Sequence, residues 1–407
     1  MDPSAVLPNR AATVRRNTRL LVLAQAALWS ALAVFVVHAP LEIVEVTGRR
    51  LWSGVLIATL SLSEGVGAFV GGRIMDRIGR RVPLLTGYAL ILVGAAAIGV
   101  GGGRSAIVLL VATAVLGAGA GVALLGRLAA GEMYAPDARG KAIGFVLLGG
   151  TVGAVGAPPL VGSLADALAP AVAWIAVALA AAVGVAATTL IRPDPRDLAV
   201  EETHVPGTER RSVGAVLRTP PLIAALATIG VTQMAMVGIM GVAAVVVHDH
   251  GGSGAASSLV VSIHLGGMFA FSPLIGAALD RWGRRRGLFA AGVVSVGGAV
   301  LAAMAEGTVS FGLGLFLVGL GWSGAYLGAT AIVSDVTTTA ERAGVLGATD
   351  LVSFLASTVG ALAGGFLLDT AGLGVLGLAM AVILLPALAL VLRLREPSPG
   401  RWATAEG

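Results

Sequence analysis

Apolar stretches of about 20 residues recur from one end of this chain to the other, each long enough to cross a ~30 Å hydrocarbon layer as a helix. Twelve are readable, over residues 18–38, 51–72, 83–101, 105–126, 141–163, 169–191, 221–247, 255–278, 287–305, 308–332, 343–367 and 372–392. They lack the two-residue alternation of a transmembrane barrel, so backbone groups must be satisfied within helices. Only 12% of the 407 residues are charged, about half of what soluble domains carry. The expected fold class is an all-α polytopic membrane protein of twelve transmembrane helices.

Zero cysteines exclude disulfides, thiolate metal sites and thiol catalysis. The net charge of +5 does not indicate a nucleic-acid partner, because the basic residues sit at span ends. All but three of the 27 Lys and Arg residues (the exceptions being Arg49, Arg50 and Arg104) fall on one side of the spans, in the linker or in the termini. By the positive-inside rule this basic end, with both termini, is expected to be cytoplasmic. Arg10, Arg15, Arg16 and Arg19 precede a full-length span rather than a short apolar segment, so no cleavable signal peptide is expected. The near-exclusive use of Arg, with Lys141 as the single lysine, points to a GC-rich bacterial genome and hence a bacterial cytoplasmic membrane.

The chain repeats itself. Gly72, Asp76, Arg77, Gly79, Arg80 and Arg81 recur 204 positions later as Gly276, Asp280, Arg281, Gly283, Arg284 and Arg285. Glu132 and Arg139 have counterparts in Asp335 and Arg342, each pair seven apart. The polar stretch from Arg192 to Arg218 separates the copies. The expected organisation is an N-terminal six-helix bundle over 1–191, a cytoplasmic linker over 192–219 and a C-terminal bundle over 220–407. Parallel six-span repeats of this kind are a transporter architecture.

The segments GGRIMDRIGRR and GAALDRWGRR resemble the loop signature of the major facilitator superfamily, once per half. That resemblance implies two pseudo-symmetric six-helix bundles around a central cavity and secondary transport by alternating access. In that setting Asp76 and Asp280 can meet arginines and helix N-termini, and Gly72, Asp76, Arg77, Gly79, Arg80, Gly276, Asp280, Arg281, Gly283 and Arg284 are the expected cytoplasmic gating loops. Span 5 is similar to the antiporter-associated signature of exporters through Gly144 and Gly153, but Ala157 and Val161 stand where that pattern has glycines.

Inside the membrane an ionisable group is by default a functional candidate. Glu64, about 18 Å along the helix from Asp76, is therefore expected near the midplane as a proton carrier or a partner for a cationic substrate. Met236 and Met240 in span 7, and His264 and Met268 in span 8, form two i,i+4 pairs. In an antiparallel helix pair turning at Gly252, Met240 falls level with His264 and Met236 with Met268. Thioether and imidazole suit soft Cu(I) in a chain without cysteine. MxxxM followed by HxxxM resembles the CcoA-type copper importers, a branch of the superfamily, and the resemblance implies Met236, Met240, His264 and Met268 as copper ligands. The expected function is copper import by alternating access. The alternative is proton-coupled efflux or uptake of a small organic compound, with Glu64 essential and the methionines mere lining. No enzyme constellation and no phosphate-binding loop is visible, so no cofactor is expected, and copper enters only as cargo. The partners expected are the lipid bilayer and a small solute or metal ion, with the protein monomeric. His248, Asp249 and His250 are read as a solvated turn.

Overall fold

A computed structural model describes residues 10–200 and 212–394. His204 and Pro206 of the linker, both chain ends and the side chain of Arg342 lie outside the described residues. Every regular element described is helical. The first half contains α1 (Arg10–Thr47), α2 (Leu51–Ile78), α3 (Arg81–Gly101), α4 (Ala106–Leu124), α5 (Gly126–Glu132), α6 (Pro136–Ala167) and α7 (Ala171–Leu190). The second contains α8 (Val213–Leu217), α9 (Pro220–Met240), α10 (Ala243–Asp249), α11 (Gly254–Phe269), α12 (Ser272–Trp282), α13 (Arg284–Ala303), α14 (Thr308–Val336) and α15 (Thr339–Leu392).

Among the described residues, eleven helical stretches are long and apolar enough to cross a membrane. The twelve expected spans are all present, because the last stretch holds two of them. Gly372, at φ 82°, breaks α15 between them in a conformation that a residue with a Cβ rarely adopts. Three other spans are interrupted, span 4 at Leu125, between α4 and α5. Span 7 is broken at Gly241–Val242, between α9 and α10, and span 8 just before Ser272–Pro273, where proline opens α12. Ser105 and Ser253 cap α4 and α11, their hydroxyls accepting from the N–H groups of Val108 and Ala256.

Contacts group the residues into two compact units: Met1–Phe35 with Ser63–Val205, and Val36–Leu62 with Pro206–Gly407. The distal ends of α1 and α2, away from the basic end, thus pack with the second half of the chain, which division by sequence order does not anticipate. Large apolar side chains cover the exterior, Val100 being 81% exposed and Val309 78%. That is the surface of a protein whose solvent is hydrocarbon.

Small residues set the helix spacing within the first unit. A Cβ added at Gly67 would run into the Ala118 carbonyl, and one at Gly121 into that of Glu64, so α2 and α4 touch backbone to backbone. Gly149 and Gly153 let α6 approach α1 in the same way. Tyr88, fully buried in α3, fills the space over Gly184 of α7 and donates its hydroxyl to the Ala24 carbonyl of α1 at 2.6 Å.

Candidate functional site

At the basic end of the first unit, Arg80 gathers the acidic residues of the repeat. Its Nη1 donates to Asp76 at 2.8 Å, and Nε and Nη2 clasp both oxygens of Glu132 at 2.9 and 2.8 Å. The positive φ of 96° at Gly79 turns the chain between α2 and α3 so that Arg80 points back at them. Burial works against the Arg80 charge, and its hydrogen bonds to Glu132 and Asp76, with the attraction of those two carboxylates, more than offset it, holding the guanidinium above its ordinary pKa.

The same geometry recurs in the second unit. Gly283 has φ 91°, Arg284 donates from Nη1 to Asp280 at 2.6 Å and from Nε to Asp335 at 3.2 Å. Each cluster closes within its own unit. Arg77 and Arg281 are exposed, the former offering its carbonyl to Arg196 at 3.2 Å. Gly72 and Gly276 have ordinary space or nothing around an added Cβ, so packing does not demand glycine at either.

Sequence reasoning missed Asp194. Its carboxylate, carried by the stretch after α7, accepts from the backbone N–H groups of Arg80 at 3.0 Å, Arg81 at 2.8 Å and Arg196 at 2.9 Å. An anion is thereby supplied to the N-terminus of α3 from 114 residues away.

Glu64 lies in the middle of α2, half-buried, and its carboxylate has no hydrogen bond or ion pair among the described residues. His264 is fully buried, and its Nδ1 lies 2.7 Å from the Leu315 carbonyl of α14. A carbonyl only accepts, so Nδ1 carries the proton, and the Nε2 lone pair is left buried without a hydrogen-bond partner among the described residues. Gly319 makes room for the ring. Met268 and Met236 are buried and Met240 half-buried. α11 packs chiefly on α14 and α10, while α9 packs chiefly on α15 and α14. The His264 ring is thus committed to α14, and the four residues implied as copper ligands sit on helices with different principal neighbours.

A second group, which no sequence motif announced, forms around Trp322 of α14. Its Nε1 donates to the Gln233 side-chain oxygen of α9, and the Gln233 amide donates to Ser357 Oγ of α15 at 2.8 Å. Trp322 stacks on Tyr326 with centroids 5.1 Å apart and planes at 18°. Phe269 meets Trp322 edge-on at 6.4 Å and 82°. At the distal end, Arg49 pairs with Asp369 at 2.8 Å and Arg50 with Asp249 at 2.9 Å, joining the α1–α2 turn to α15 and α10. Among the described residues no group of three or more His, Cys, Asp or Glu could hold a metal ion.

Known proteins share this architecture. YdeG, an MFS-type transporter of Bacillus subtilis, is 28% identical over 361 residues, 84% of each chain. The riboflavin transporter RfnT of Brucella anthropi is 28% identical over 402 residues, 95% of this chain and 97% of its own. The crystal structure of the human organic anion transporter MFSD10 superposes with a TM-score of 0.63 at 16% identity, covering 93% of this chain and 99% of that one, which is a likeness of fold. These relatives do not confirm the CcoA-type branch of the resemblance. The model of the Major Facilitator Superfamily matches residues 20–242 and 227–407. With that match spanning both halves of the repeat, the chain belongs to the major facilitator superfamily of membrane transporters.

Proposed function

We propose that the protein moves a small organic solute across a bacterial cytoplasmic membrane by proton-coupled alternating access, with both termini in the cytoplasm. The observation that carries this reading is Glu64: a carboxylate in the middle of a membrane span, half-buried and without a hydrogen bond or ion pair among the described residues. Such a group costs free energy wherever it sits in hydrocarbon and is expected where a proton or a cation passes. The mid-span residues Gln233, Trp322 and Tyr326 are suited to an organic cargo, and the relative RfnT is by name a transporter of an organic solute, riboflavin. The two Arg/Asp clusters at the basic end act as the cytoplasmic gating loops.

Copper import is the second reading. It is favoured by the buried Nε2 of His264, without a hydrogen-bond partner among the described residues and one helical turn from the Met268 thioether. The ligand set would be Met236, Met240, His264 and Met268, with copper as cargo and no resident cofactor.

Proteoliposomes separate the two. Under an imposed pH gradient the wild type is expected to accumulate or expel a labelled organic solute, riboflavin being the first to try. Glu64→Gln should abolish the gradient-driven movement while sparing solute exchange. Radioactive copper(I) uptake that collapses in His264→Ala and Met236→Ala, with no organic solute moved, would overturn the first reading in favour of the second.

A further inference from the structure

The group around Trp322 has the chemistry of a recognition surface rather than of a helix-packing core. Trp322 stands in the middle of the 29-residue α14. Leu313, 54% exposed on the same helix, is nine residues away, or about 180° around the axis. The aromatic group therefore faces away from the apolar stripe that α14 presents outward. Ser357 lies likewise on the far side of α15 from the exposed Leu355 and Val359, two residues and about 160° from each.

The buried core cluster of this unit is built of Leu, Val, Ile and Ala, and Tyr326 packs against its edge, tying the Trp322 group to it. The Trp322 group instead combines an indole, a phenol, a phenyl ring and a primary amide from α9, α11 and α14, with the Ser357 hydroxyl of α15 beside the amide. Trp322 and Gln233 are half-buried, not sealed. Because indole N–H can only donate, the Gln233 oxygen must face Trp322 and its nitrogen Ser357. The bonds to Trp322 and Ser357 use one carbonyl lone pair and one amide hydrogen. One lone pair and one hydrogen remain on an amide held from both ends, so Gln233 can still accept one hydrogen bond and donate one. A neighbouring donor and acceptor of that kind match those of an amide, imide or amidine in a ring. The stacked Trp322–Tyr326 pair offers π-surface, which attracts any flat ring and selects against none.

We propose that Trp322, Tyr326 and Gln233 seat a planar, fused heteroaromatic solute carrying a carbonyl beside a ring N–H. The ring system lies against the aromatic pair, and its polar edge bonds the free donor and acceptor of Gln233. Phe269 and Ser357 are positioning residues, holding the indole and the amide. This deepens the transport reading above by naming the class of its cargo, and it rests on that reading only for movement across the membrane.

Binding is tested on the purified full-length chain in detergent, apart from transport. Riboflavin and lumichrome are the probes, both fluorescent and both bearing the required edge, with ribitol as a ringless control. The wild type should quench the fluorescence of both rings saturably, and ribitol should not compete. Trp322→Leu should weaken binding roughly 5–100-fold. N3-methylation of riboflavin, which removes the ring N–H, should weaken wild-type binding about tenfold and leave Gln233→Leu indifferent to the methyl group, a signature that general loss of packing would not give. Trp282→Leu, at an exposed position of α12, controls for folding and should bind as the wild type does.

No saturable quenching of either ring by the wild type, or equal affinity in Trp322→Leu, would overturn the assignment. Binding with no movement in proteoliposomes would sink the transport reading and leave the seat standing. Riboflavin transport with wild-type affinity in Trp322→Leu would do the reverse.

Discussion

Asp194 shows what a single carboxylate accomplishes at a helix end. Three backbone N–H groups converge on it, two of them from Arg80 and Arg81 at the start of α3, where the helix dipole favours an anion. It also explains a constraint at Gly79. Besides needing a positive φ, a Cβ there would lie 2.7 Å from the Asp194 carboxylate. Asp194→Ala should lower stability by about 1–2 kcal/mol, the range for a lost N-terminal cap, read as a drop in thermal midpoint in detergent. Asp194→Asn keeps an accepting oxygen and should lose less. An equal midpoint for wild type and Asp194→Ala would show that water replaces the carboxylate without cost.

Between elements, the backbone contact of α2 with α4 decides where Glu64 stands, since its carbonyl is what Gly121 approaches. Gly121→Ala has to push the helices apart, at about 1–3 kcal/mol for overpacking, and should weaken pH-gradient-driven transport with it. Gly153→Ala should be similarly costly, because its Cβ would strike the Ala26 carbonyl of α1. Gly144, the other glycine of the span-5 signature, has nothing within 4 Å of an added Cβ. Gly144→Ala should therefore be neutral or stabilising by up to about 1 kcal/mol through helix propensity. Thermal midpoints for the three variants check the ranking. How far this was legible in the sequence follows a pattern. The repeat at offset 204 announced the Arg80 and Arg284 clusters because every partner except Glu132 and Asp335 lies within one helical turn of the loop, and those two are themselves repeated. Gln233, Trp322 and Ser357 repeat nowhere and come from three spans, so only the folded chain brings them together. His264 was visible as an anomaly, but the carbonyl of Leu315 that holds it was not, since any residue carries a carbonyl.

For the whole molecule, the grouping of Val36–Leu62 with the second unit is the least expected feature, and two ion pairs mark it. Arg49 and Asp369 are 59% and 14% exposed, so their pairing is worth no more than about 1 kcal/mol and cannot hold the fold. It can bias an equilibrium. A change of 0.5–1 kcal/mol shifts the ratio of two conformers by roughly 2–5-fold. If the distal end opens during transport, Arg49→Asp should raise the open population by that factor without lowering the thermal midpoint. The absence of cysteine makes this measurable without background. Ser61→Cys places one thiol on α2, 6% exposed in the state described here, for a membrane-impermeant maleimide. Labelling should be slow in the Ser61→Cys parent and 2–5-fold faster with Arg49→Asp. It should slow again when Asp369→Arg restores the pair with its charges exchanged. Rates unmoved by the single reversal would mean that the α1–α2 turn is held by helix packing alone, with the close approach of Gly54 to Ala361 and Gly365 the first contact to alter next.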